Sequence, residues 1–360
     1  MPARLLLFCA LFSAAALADE RSEKAAADLL HRRLHRENPD DALLLRSVHG
    51  KLVVVVAGSM DHVQNVLSAA RIEHTVIHPA QVADYPLKSN MIVMVNCPGV
   101  MPDAGVRRIE RFVRAGGLLY TTDWSLKNVV EKAFPGTIAH NGRSTGHEVV
   151  PVEIDREDDN LMSRVLLRNG SSPQWFLEGS SYPINILDRE RVRVLAHSRH
   201  MRQRYGAGPV VVRFRWEDGE VIHVVSHFYR QLATRGPQVA AAQAVDSFQG
   251  LSQEDKDAFK KSAGAGATAG DVESSYAFQR MTANLVTGKQ RYNKKLEQTY
   301  NMTVKAPQPL RAEPSAAAPA VAAGEQGTAM RVLEKKGKHA KVRDEMGNEG
   351  WVPAESLTAR

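Results

Sequence analysis

The stretch "KLVVVVAG" at 51–58 puts apolar side chains on both faces of any strand it forms. A strand covered on both faces belongs in a parallel sheet flanked by helices, and the same unit returns along the chain. "HTVIH" (74–78), "MIVMVNC" (91–97) and "LLYTT" (118–122) read as further strands, separated by segments of helical period. Val63, Val66, Leu67 and Ala70 make one apolar stripe, with Ser59 and Asp61 placed to cap its helix. Val106, Ile109 and Val113 of "DAGVRRIERFVRAGG" make a second, closed by Gly116-Gly117. A third helix, "SLKNVVEKAF", stops before Pro135-Gly136. Strands alternating with helices of about three turns define βαβ units. From His147 to Gln231 the pattern turns to strands: "HEVVPVEI", "RVRVLAH", "GPVVVRFRW" and "GEVIHVVSHF", the last two joined at Asp218-Gly219, a hairpin signal. They are expected to extend the same sheet. After "SAGAGATAG" (262–270), a long helix with Phe278, Met281 and Leu285 on its packing side is expected to cover one face.

The ends of the chain carry different information. Met1-Pro2-Ala3-Arg4, an apolar run from Leu5 to Leu17 and small residues at Ala16 and Ala18 have the form of a secretory signal peptide cleaved after Ala18. Phe8 ahead of Cys9 argues against a lipid-attachment site. No later stretch approaches the ~20 apolar residues of a membrane helix, so the expectation is an exported protein, periplasmic or extracellular. Removal of residues 1–18 leaves Cys97 as the one cysteine, which excludes an internal disulfide. Stability then rests on a core, which 43% hydrophobic residues can supply. The net charge of +7 is spread among interspersed acids and is not interleaved with aromatics, which argues against nucleic-acid binding. Residues 19–47 read as a helical lead-in, with Ala26, Leu29, Leu30 and Leu34 at helical spacing before Pro39.

The C-terminal segment divides in two. "PLRAEPSAAAPAVAAGEQG" has the composition of a linker, and three short strands follow, with turns at Lys336-Gly337 and Met346-Gly347. Three such strands bury little, so the linker-like stretch is expected to complete the barrel. Leu310 to Ser315, Gly327 to Leu333, Lys341-Val342-Arg343 and Gly350-Trp351-Val352 together resemble the bacterial SH3 domain over about 307–358. That resemblance implies a small all-β barrel binding cell-wall peptides or proteins. Trp351 is either its ligand platform or a barrel core residue.

The pieces "MIVMVNCPGVMPDAGVRRIERFVRAGG", "GGLLYTTDWS" and "GEVIHVVSHFYRQ" are similar to the class I glutamine amidotransferase-like superfamily over residues 50–290. The resemblance implies a flavodoxin-like three-layer α/β sandwich with a largely parallel sheet. It puts the nucleophile position on Asp123, where active members carry cysteine, the histidine on His227, and the oxyanion loop at Cys97 and Gly99. The acid that should follow the histidine is missing, since the chain reads Phe228-Tyr229-Arg230-Gln231. Three roles stay open for this turn: Asp123 or Ser125 caps the next helix, Trp124 stacks on a ligand in a surviving pocket, or Asp123 is a carboxylate nucleophile. Cys97 reads as a small apolar residue unless it is exposed with a lowered pKa. Ser226 points away from His227 along an extended strand.

Other candidates are weaker. His223 and His227 are four apart, ~13 Å along a strand, too far to share one metal even with His197 or His200 nearby. No metal site, no nucleotide motif and no cofactor is expected. Tyr182, in "FLEGSSYPINIL", and Tyr205, in "RQRYGAGPVVVRFRW", line a crevice or simply occupy turns. The expected organisation is a signal peptide (1–18), a lead-in (19–47), an α/β domain (48–300) and a linker with an SH3-like domain (301–360). The expected role is non-catalytic binding or scaffolding at the cell envelope, with peptidoglycan or envelope proteins as partners. A hydrolase using Asp123 and His227 is the alternative.

Overall fold

The computed structural model describes residues 21–168, 173–227, 239–262 and 267–360. The segment expected to be a signal peptide and the Phe228 to Gln231 stretch lie outside the described residues. Helix α1 covers 21–37 and α2 covers Pro39–Arg46. Asn38 divides them: its side chain accepts the Asp41 N–H, while Pro39 lacks the N–H needed to continue α1. Leu29, Leu30 and Leu34 are buried in the same core as the strands that follow.

Strands β1 (Val53–Val56), β2 (Thr75–Ile77), β3 (Ile92–Val95) and β4 (Leu118–Thr122) alternate with α3 (Val63–Ala69) and α4 (Asp103–Arg114). Every residue of β1, β3 and β4 is buried, as unbroken apolar runs require. These strands pair in parallel, β2 with β1, β1 with β3 and β3 with β4. The cap expected for α3 is not made by Ser59 or Asp61. The Val63 N–H instead donates to Asn96 Oδ1 at 3.2 Å, and Asp61 is fully buried, accepting the Thr122 hydroxyl at 2.7 Å. After β4 a helical segment opens with a wide turn, Leu126–Val130, and ends as α5, Glu131–Ala133.

Next come β5 (Ile138–His140), β6 (Glu148–Pro151), β7 (Glu153–Ile154), β8 (Gln174–Leu177), β9 (Ile184–Ile186), β10 (Arg193–His197), α6 (Arg199–Tyr205), β11 (Pro209–Trp216) and β12 (Gly219–Val224). The main sheet has eight strands in the order β2-β1-β3-β4-β12-β11-β10-β7. β12 lies parallel to β4, and the three strands beyond it run antiparallel to their neighbours. One expectation fails here: "HEVVPVEI" is not one strand of this sheet. It divides at Val152, so that β6 pairs with β8 in a separate ribbon and only β7 joins the main sheet. Pro151, with no N–H for a ladder, stands at that division.

α7 (Ala241–Ala244) and α8 (Gln253–Ser262) lead to α9 (Ala269–Thr299), which buries Phe278, Met281 and Leu285. Seven antiparallel strands follow: β13 (Met302–Val304), β14 (Gln308–Arg311), β15 (Ala320–Gly324), β16 (Ala329–Lys336), β17 (His339–Asp344), β18 (Glu349–Pro353) and β19 (Leu357–Ala359). They enclose a core of their own around Leu310, Met330, Val342 and Val352. The linker-like stretch supplies β14 and β15, which pair with each other. Gly350 is needed where β18 crosses β14, since a Cβ there would stand 2.7 Å from that of Leu310.

This tail docks on the α/β body. Arg343 donates to the Arg114 carbonyl at 3.0 Å and to Asp218 at 3.1 Å, and Arg331 also pairs with Asp218. Arg108 donates to the Met346 carbonyl at 2.8 Å.

Candidate functional site

Parallel strands deliver their carboxyl ends to one edge of a sheet, where open α/β sheets carry their sites. At that edge β3 is followed by Cys97, β4 by Asp123 and β12 by His227. Asp123 has φ +44, a left-handed conformation that a non-glycine residue adopts at a cost. The turn is therefore strained in the way a strand-to-helix nucleophile elbow is. Gly99, at φ +70, passes so close to that turn that a Cβ would lie 2.5 Å from Ser125 Oγ.

The structure brings three of the candidates together. His227 Nε2 lies 3.1 Å from Asp123 Oδ2, and Cys97 Sγ lies 4.0 Å from the same oxygen. A fourth member, Glu178, follows β8 and meets His227 Nδ1 at 3.0 Å. Asp123 does not cap its own helix. Its Oδ1 accepts the Tyr182 N–H at 2.9 Å and its Oδ2 accepts the Ser181 hydroxyl at 3.1 Å. Ser125 makes no cap either; its hydroxyl points to the Asn96 carbonyl at 3.5 Å. Both capping roles are corrected: the loop at 178–182 folds over the elbow and takes the Asp123 carboxylate, while Ser125 turns to the segment that follows β3.

All three central residues are buried, with Cys97 1%, Asp123 2% and His227 4% exposed. Burial pushes the Cys97 thiol up against a smaller downward pull from His227. That is the reverse of an exposed, activated thiol. For His227, burial favours the neutral ring, but Asp123, Cys97 and Glu178 outweigh it and the pKa rises. A neutral imidazole has one N–H, whereas carboxylates face both of these nitrogens, so a proton on each satisfies both.

Trp124 does not fill the space over Asp123. Its indole N–H donates to the Ser180 carbonyl at 2.7 Å, and its ring stacks on Tyr182, which stacks in turn on His140. Tyr205 is buried away from the cluster. Its hydroxyl donates to Glu148 and accepts the Gly146 N–H at 2.7 Å, tying α6 to β6. Trp351 is 9% exposed within the C-terminal sheet, closer to core than to platform. His223 is fully buried with Nδ1 2.9 Å from Thr121 Oγ1, and burial lowers its pKa to about 3. His197 and His200 pair with Asp155 and Glu148, away from His227. Ser226 is buried with no hydrogen-bond partner for its hydroxyl among the described residues.

Glu178 and Ser181 are the members that sequence reasoning missed. The resemblance places the acid just after His227, whereas in the structure it arrives from 49 positions upstream. Nothing local marks it, because only the pairing of β6 with β8 carries it to the cluster. A cavity of about 380 Å³ lies elsewhere. It is lined by Gly117, Arg213, Asp218, Lys289 and Tyr292, at the amino ends of β4 and β12.

Residues 304–358 match the family model of the bacterial SH3 domain. No curated protein matches the chain. Among solved structures, the chain is similar to an exo-beta-1,4-mannosidase from Opitutaceae bacterium strain TAV5, with 12% identity and a TM-score of 0.36 over 54% of this chain and 34% of that one. A cytoplasmic protein from Salmonella typhimurium gives 12% identity and 0.36 over 51% of this chain and 91% of that one. A beta-galactosidase from Bacillus circulans sp. alkalophilus gives 13% and 0.37 over 90% and 44%. The chain thus spans about a third of the mannosidase. TM-scores of this size define neither a family nor a chemistry. What stands is a mixed α/β protein with a large, largely parallel sheet, followed by a bacterial SH3 domain.

Proposed function

We propose that this is an exported binding or scaffolding protein of the cell envelope, whose C-terminal domain takes a cell-wall or protein ligand. One observation carries the reading: residues 304–358 match the bacterial SH3 domain and lie in a seven-stranded antiparallel sheet with its own core. An α/β half that binds or spaces without catalysing fits the same picture. In that half, the residues at the elbow are sealed from solvent and the thiol is held protonated. No described helix is long and apolar enough to cross a membrane, which is compatible with export. The α/β half, taken as residues 48–300, is read as an amidotransferase-like domain of flavodoxin-like arrangement. The strand order β2-β1-β3-β4-β12, all parallel, and the strained turn at Asp123 support that reading.

The hydrolase alternative draws on one specific feature, a strained Asp123 within 3.1 Å of a histidine that Glu178 orients. It would need the 178–182 loop to open. Sedimentation with purified peptidoglycan tests the first reading. Full-length protein should co-sediment, and a chain lacking 305–360, shown folded by circular dichroism, should not. Equal retention of both would move binding to the α/β half. Turnover of an amide or ester, lost on Asp123→Asn, would favour the hydrolase.

A further inference from the structure

Among the described residues, one group of three metal-ligating side chains converges: Cys97 Sγ, Asp123 Oδ2 and His227 Nε2 lie within 4.8 Å of one another. We infer that these three residues form a zinc-binding site that locks the carboxyl ends of β3, β4 and β12 together. Ligands around tetrahedral zinc stand roughly 3.3–3.6 Å apart, given metal–ligand bonds of about 2.0–2.3 Å. Here the Nε2–Oδ2 and Sγ–Oδ2 separations are 3.1 and 4.0 Å and the third is within 4.8 Å, so adjustments of roughly an ångström bring the three atoms around one ion. The four-residue spacing that excludes His223 and His227 from one site does not bear on this one, whose ligands follow three different strands.

A second observation points the same way. Glu178 Oε2 holds His227 Nδ1 at 3.0 Å, which turns Nε2 toward the cysteine and aspartate. Zinc-bound histidines are oriented by a carboxylate in this manner. Asp123 is likewise steadied by the Ser181 hydroxyl and the Tyr182 N–H. One thiolate, one imidazole and one carboxylate suit a borderline-soft divalent cation and exclude magnesium or calcium, which take oxygen donors. On binding, the thiol proton and the Nε2 proton leave to solvent, and the cation takes both places. The Ser181 hydroxyl, which donates to Asp123 Oδ2 at 3.1 Å, stands beside the fourth position. Sealed as it is, the site is structural, and its effect is on stability.

Tag-free, full-length protein stripped with a chelator provides the test. With zinc as probe, competition against a chromophoric chelator should give one equivalent, and the thermal midpoint should rise. Magnesium should do neither. Cobalt in place of zinc should give a thiolate-to-metal charge-transfer band. Cys97→Ser should abolish that band, and His227→Ala should weaken binding at least about 100-fold. Glu178→Gln, a change at a positioning residue, should keep the band while lowering affinity by 10–100-fold. The assignment is overturned if the unsubstituted protein shows no thiolate band at saturating cobalt, a result that does not depend on any variant folding. It is equally overturned if zinc stoichiometry is unchanged in Cys97→Ser.

Discussion

Asp123 pays for its position with backbone strain, and the cost is measurable. At φ +44 a Cβ is disfavoured, so Asp123→Gly should be more stable than Asp123→Ala by about 1 kcal/mol in urea denaturation, although both lose the same contacts. The reverse order would show that the turn is relaxed. At the facing loop the argument inverts. Gly99→Ala, with 2.5 Å to Ser125 Oγ and φ +70, should cost roughly 2–3 kcal/mol. His223 makes a prediction on the acid side. Its pKa falls from 6.5 to about 3 on burial, so between those values the unfolded chain binds the extra proton. Stability is therefore full above pH 6.5 and drains as pH falls toward 3, by up to about 1.4 kcal/mol per pH unit. His223→Gln should flatten that part of the stability curve relative to the parent; a parallel curve would mean the ring is protonated in the folded state.

Among elements, α9 does more than cover a face. Near its middle the apolar stripe gives way to Lys289, 2% exposed, whose ammonium donates to the carbonyls of Ser89 and Gly116 at 2.6 Å each. Asn284, one turn earlier, donates to Leu161 and Ser163 carbonyls at 3.0 and 2.8 Å. Polar groups inside an apolar stripe look like errors of amphipathicity in a linear reading. They satisfy loop carbonyls that would otherwise be buried without partners. Burial lowers the Lys289 pKa from 10.5 to about 7. Between these values the unfolded lysine holds the extra proton, so stability should rise with pH from 7 toward 10.5. Chemical denaturation at pH 7 and pH 9 should show that rise in the parent and its loss in Lys289→Met. An unchanged pH dependence would mean that the two carbonyls fully offset the desolvation.

For the whole molecule, the question is how a small C-terminal sheet and a large, largely parallel one come to act together. Asp218, in the tight turn between β11 and β12, collects Arg331 and Arg343 from the tail, and Arg343 also reaches the Arg114 carbonyl. Gly347 lets the tail approach closely, since a Cβ there would stand 2.2 Å from the Arg111 carbonyl oxygen. Breaking one side of a half-buried ion pair costs more than the pair contributes, because the partner charge is left behind. Asp218→Ala should therefore cost about 1–3 kcal/mol and make the connection near 299–302 more sensitive to limited proteolysis. Cleavage at the parent rate would mean that the C-terminal domain is held by other contacts.

Strand and helix identity were legible in the chain because they depend on local pattern. Four consecutive valines can lie only in a strand covered on both sides, and the spacing of Val106, Ile109 and Val113 admits only a helix with one buried face. The hairpin at Asp218-Gly219 and the strands hidden in alanine-rich sequence followed in the same way, from turn chemistry and from how much surface short strands must bury. Partnership at the elbow was not legible. Cys97, Asp123 and His227 could be named from their places at strand ends, but Glu178 and Ser181 belong to a segment whose route depends on β6 leaving the main sheet to pair with β8. That choice also turned Asp123 from a helix cap into an acceptor for a neighbouring loop. Local sequence determines which residues stand at the end of a strand; which side chains meet there depends on how distant segments cross, and only tertiary packing decides it.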